Sequence, residues 1–154
     1  MKIKVFNELS IQKFKTDEEH IVISIQDPSF DLVSLPKQTS RKASIGFKFH
    51  DLDQDIPGAD VILFNVKEAK AILNFVEAWK DKVDLICINC VAGVSRSMGV
   101  AGALGKILNG DDTYFFKHGV PNMRIYRMIL ENYYGKDFND FNKINISENK
   151  DIIF

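Results

Sequence analysis

The stretch Val83–Leu108, VDLICINCVAGVSRSMGVAGALGKIL, decides the fold. Its first seven residues, VDLICIN, are a short apolar run rich in β-branched side chains, as in a strand buried on both faces. Ser97–Leu108 reads as a helix with almost no polar face, ended by Asn109-Gly110. Gly99, Gly102 and Gly105 each cost a helix about 1 kcal/mol relative to Ala, so they predict another backbone packed closely against it. Between strand and helix lies Cys90–Ser97. A helix start has unpaired N–H groups and the positive end of the macrodipole. Successive N–H groups curling around a point form a nest for an oxyanion. Gly93 removes the Cβ that would crowd such a curl, and Arg96 supplies a planar fork matched to phosphate oxygens. Cys90, at the mouth of the same loop, meets a positive field that favours a thiolate. A thiolate nucleophile aimed at a cradled phosphate is the resulting expectation.

Outward from this core, Lys2–Phe6 (KIKVF) and Ile21–Ile25 (IVISI) read as strands, the second stopped by Asp27-Pro28. Ile45–Phe49 (IGFKF) alternates like a half-buried strand and runs into the acidic turn stretch His50–Asp60. Asn65 and Glu68 have capping-box spacing. Val66, Ala69, Leu73, Val76 and Trp79 then form an apolar stripe at helical intervals. Pro121-Asn122 precedes a last helix, Met123–Tyr134, closed by Gly135. Strands followed by strand–helix alternation predict an α/β fold, a central mostly parallel sheet flanked by helices. The length of 154 residues predicts a single domain, 1–154, with a loosely held tail from about residue 136.

Composition excludes several functions. Twenty bases against 21 acids leave a net charge of −1, which argues against a nucleic-acid binder that works by neutralising phosphates. No apolar run approaches a membrane span, and the alternating N-terminus predicts no secretory signal. Two cysteines, Cys87 and Cys90, are too few for a disulfide framework or a four-sulfur zinc site. Asp51, Asp53 and Asp55 lack the Gly and Glu positions of a calcium loop. The expectation is a cytoplasmic protein with no metal and no cofactor.

Cys90–Ser97 resembles the phosphate-binding P-loop of the cysteine-dependent protein tyrosine phosphatase superfamily, whose signature is Cys-x5-Arg followed by Ser or Thr. An Arg six after a Cys arises by chance in about one such chain in twenty; Gly93 and Ser97 lower the coincidence to about 0.02%. The loop's place after an α/β N-terminal half suits the dual-specificity-like branch. Pro121–Arg127 (PNMRIYR) is similar to the end helix of small prokaryotic and phage members. The resemblance implies Cys90 as nucleophile forming a phosphocysteine. It implies Arg96 and the N–H groups of Val91, Ala92, Gly93, Val94, Ser95 and Arg96 as holders of the phosphate oxygens. Ser97 would hydrogen-bond the thiolate. A leaving-group acid is implied on the loop after an earlier strand, where Asp51 ranks first, ahead of Asp53 and Asp55. The substrate implied is a phosphorylated protein or peptide, carrying phosphotyrosine and also phosphoserine or phosphothreonine. Inositol lipids are disfavoured, because the loop interior contains no lysine.

One departure stands beside the match. Asn89 occupies the place of the family's His, which helps organise the loop; Asn can donate and accept, and so could substitute in part. A weak or inactive phosphoprotein-binding pseudophosphatase is therefore the alternative, and a redox-sensing thiol a third reading. Cys87 reads as a buried strand cysteine facing away from Cys90. Lys37, Arg41, Lys42 and Lys48 read as a solvated basic edge, and His50 and His118 as structural or exposed.

Overall fold

The computed structural model describes residues 1–135, so the expected tail lies outside the described residues. In chain order the elements are β1 (Lys2–Phe6), α1 (Glu8–Ile11), β2 (His20–Gln26), β3 (Arg41–Lys48) and α2 (Val66–Trp79). β4 (Leu85–Asn89), α3 (Arg96–Asn109), α4 (Thr113–His118) and α5 (Met123–Tyr134) follow. The strands form one sheet in the order β1-β4-β2-β3, and every pairing is parallel. The α/β expectation holds.

Strand alternation divides the burial between two faces. Ile21, Ile23, Ile25, Ile86 and Ile88 face a core shared with Ile72, Val100, Leu104, Ile125 and Ile129 of α2, α3 and α5. Val22, Leu85 and Cys87 face the other side, under Ile11 of α1 and the half-buried Phe14, Val33 and Leu35. β2 and β4 are therefore buried along their whole length. β3, at the edge, keeps the alternating half-buried pattern its sequence predicts.

Local chemistry sets the helix ends. Asn65 caps α2, with Glu68 Oε2 accepting from the Asn65 N–H at 3.0 Å to complete the capping box. Gly110 ends α3 in the left-handed conformation at φ 71°. α3 crosses α5 closely where Gly99 carries no side chain. A Cβ on Gly99 would lie 2.7 Å from the Asn122 carbonyl, whereas one on Gly102 would make ordinary contact with Tyr126 at 3.5 Å. Gly105 opens space for the Phe115 ring of α4. Gly99 and Gly105 thus have the close neighbours predicted, at the start of α5 and at α4, whereas Gly102 does not.

Candidate active site

In open α/β sheets ligand sites lie beyond the carboxyl ends of the strands, and that is where Cys90–Ser95 loops from β4 to α3. Gly93 makes the curl, at φ 70°. A Cβ there would fall 2.9 Å from the Asn7 nitrogen and the Phe6 carbonyl carbon, so the loop rests directly on the chain that follows β1. The Glu8 N–H donates to the Val91 carbonyl at 3.1 Å on the same seam.

The Cys90 sulfur sits inside the curl. It accepts from the Gly93 N–H at 3.2 Å and lies 3.0 Å from Ser97 Oγ. Cys90, Arg96 and Ser97 are buried; Ala92 and Val94 are exposed, and Val91, Gly93 and Ser95 are half-buried. Ser95 stands at the cap position of α3 yet makes no side-chain cap bond. Its hydroxyl donates instead to Asp51 Oδ1 at 2.8 Å. The α3 N-terminus thus keeps N–H groups for an anion.

Arg96 folds inward. Its Nη1 donates to Asp27 Oδ1 at 2.6 Å and to the Phe49 carbonyl at 2.9 Å. Its Nε is buried with no acceptor among the described residues. A buried donor left without a partner is costly, and a phosphate oxygen is a fitting acceptor for it.

Asp51 is brought to the loop by Ser95 and also by Asn122, whose Nδ2 donates to Asp51 Oδ1 at 2.8 Å. Asn122 caps α5 as well, its Oδ1 accepting from the Ile125 N–H at 3.1 Å, so one side chain ties helix and acid loop together. Asp53 points to the same helix start and accepts from the Arg124 N–H at 3.1 Å. Asp55 is exposed. Asn89 stands at the end of β4, directly before Cys90. Both of its amide atoms are buried and neither has a hydrogen-bond partner among the described residues. The hydroxyl of its register neighbour Ser24 likewise has no partner among the described residues.

Cys87 points to the opposite face of the sheet, and burial pushes its thiol up to about 12. Both cysteines are free. The basic run is split: Arg41 and Lys42 open β3 at the far end of the sheet, where Lys42 pairs with Glu19 at 2.9 Å, whereas Lys48 closes β3 at the loop's end. His50 accepts from the Ile62 N–H at 3.0 Å, and His118 stacks on Tyr114 at the surface. No cluster of metal-ligating side chains occurs among the described residues, and no described helix is long and apolar enough to cross a membrane. Sequence reading missed Asp27 and Asn122 as parts of the site. Asp27-Pro28 signals only a strand end, and Pro121-Asn122 only a helix start.

The fold is shared with known structures. The human tyrosine phosphatase-like serine/threonine/tyrosine-interacting protein superposes with a TM-score of 0.58 at 14% identity, over 84% of this chain and 89% of that one. Tk-PTP, solved in its active form, superposes with a TM-score of 0.50 at 15% identity, over 85% of this chain and 90% of that one. A mouse putative dual specificity phosphatase superposes with a TM-score of 0.52 at 14% identity, over 84% of this chain and 79% of that one, so the chain has the α/β fold of these phosphatase-like structures. No family model and no curated protein matches it.

Proposed function

We propose that the protein is a cysteine-dependent phosphatase of the tyrosine and dual-specificity superfamily, built as one domain and acting in the cytoplasm on phosphorylated proteins or peptides. The observation that carries this reading is the Cys90 sulfur held by the Gly93 N–H and beside Ser97, with the unpartnered Arg96 Nε in the same loop. The phosphate would lie over the sulfur, held by Arg96 and the N–H groups of residues 91–96. The Cys90 thiolate attacks phosphorus, forming an S–P bond as the P–O bond to the leaving group breaks. Asp51 gives its proton to the leaving oxygen. Water then attacks phosphorus, giving a proton back to the Asp51 carboxylate; the S–P bond breaks, inorganic phosphate leaves, and the Ser97 hydroxyl donates to the departing sulfur. Phosphotyrosine is the first substrate class, with phosphoserine and phosphothreonine beside it.

Hydrolysis of an aryl phosphate tests this. Wild type should turn over, whereas Cys90→Ser should lose turnover and keep phosphopeptide binding, because the cradle is backbone and Arg96. Wild-type hydrolysis by Cys90→Ser would show the nucleophile to be misassigned. The unbonded Asn89 favours a second reading, a phosphoprotein-binding pseudophosphatase. The human neighbour, named as a phosphatase-like interacting protein, is consistent with that reading. Phosphopeptide binding by wild type without hydrolysis would establish it.

A further inference from the structure

Arg96 is held at one end. Asp27 Oδ1 and the Phe49 carbonyl both take their bonds from Nη1, and Nε has no partner among the described residues. A guanidinium is planar, so fixing Nη1 fixes the plane of the whole group. The edge left over, Nε with Nη2, carries two parallel N–H groups that match two oxygens of a tetrahedral anion. A carboxylate standing in the anion's own place would be expected to engage that edge. Asp27 engages the other side.

We propose that Asp27 is a positioning residue for the oxyanion site, its carboxylate clamping Arg96 Nη1 so that the Nε–Nη2 edge faces an anion over Cys90. The inference rests on the reading of Cys90–Ser97 as an oxyanion cradle. The chain prepares Asp27 for this. β2 ends at Gln26, whose Oε1 accepts from the Asp27 N–H at 2.9 Å. Pro28 restricts the residue before it to extended backbone. The Phe30 N–H then closes a turn on the Asp27 carbonyl at 3.1 Å. The carboxylate stays 38% exposed while the Arg96 side chain is 7% exposed. Exposed ion pairs contribute little, but a cation this buried needs a partner before any anion arrives.

Tungstate titrations of the full chain test the clamp, read by calorimetry and by the NMR resonance of the Arg96 Nε–H, assigned through its disappearance in Arg96→Lys. Asp27→Ala should weaken tungstate binding by about ten-fold or more, the scale of a lost hydrogen bond to a charged group. It should also move or broaden the Nε–H resonance before tungstate is added, which general loosening elsewhere would not single out. Asp27→Asn, which keeps shape and acceptor, should lose less in the same direction, and decides the matter should the alanine variant fail to fold. Asp31→Asn removes an equal charge nearby, from a residue whose carboxylate is 3.9 Å from Lys48, and should change neither readout. Wild-type affinity with an unmoved resonance in both Asp27 variants would overturn the proposal. Tighter binding would overturn it too, making Asp27 a competitor. If wild type takes up no tungstate, the cradle reading itself fails and Asp27's part in anion binding falls with it, whatever the resonance does.

Discussion

Asp51 receives both of its hydrogen bonds on one oxygen, Oδ1, from Ser95 and Asn122. Oδ2 is left to carry a proton to a leaving group. Protonation matters most for a poor leaving group and least for a phenolate already stable in water. Asp51→Asn keeps the shape and an acceptor, so it should depress hydrolysis of a phosphotyrosine peptide far more than that of nitrophenyl phosphate. General-acid help is worth about 10²–10⁴-fold, so parallel assays of the two substrates give a wide contrast. Asp53→Asn is the matched control, because Asp53 faces the Arg124 N–H instead. A leaving-group-dependent loss in Asp53→Asn alone would move the acid to that residue. At this scale legibility follows chain distance. Cys90, Arg96 and Ser97 are contiguous, so their spacing can be read directly. Asp27 meets Arg96 across 69 residues and Asn122 meets Asp51 across 71, contacts that no local pattern encodes.

Among the elements, α3 carries the loop and α5 braces the acid, and they meet at glycines. Gly99→Ala would press a Cβ 2.7 Å from the Asn122 carbonyl, a backbone atom that cannot swing aside. It should destabilise the protein by about 1–3 kcal/mol and lower activity with it, since Asn122 would shift under Asp51. Gly102→Ala meets only ring atoms at 3.5 Å or more. It should stabilise the protein by up to about 1 kcal/mol, the helix-propensity difference. Chemical denaturation of the two variants checks the opposite signs. Long elements with a clear period were legible, and α5 runs over the residues its sequence predicts, Met123–Tyr134. The short α1 and α4 were not. Four or six residues cannot display a helical period, and α4 is held by Phe115 seated against Gly105 and by Tyr126 bonded to Asp112. β3 begins at Arg41, four residues before the apolar alternation at Ile45, because backbone pairing with β2 extends it.

For the molecule as a whole, a sheet buried on two sides sets a limit in alkali. Burial raises the Cys87 thiol from 9.0 to about 12. Between those values the unfolded chain has lost this proton and the folded one still holds it, so stability is full below the lower value and falls as pH rises toward the upper. Cys87→Val should flatten the decline in unfolding free energy measured between about pH 8 and 10.5. An unchanged slope would assign the decline to other groups. The topology also governs when the site can exist. β1 pairs with β4 alone, across about eighty residues of chain, and Gly93 leans on the turn that follows β1. A chain leaving the ribosome therefore carries β1 as an unpaired ribbon until residues 85–89 emerge. Asp51 waits longer still, for Asn122. Closing contacts this distant in sequence is the slow part of folding, so the surroundings of Cys90 assemble late, and a half-made chain has no cradle to offer.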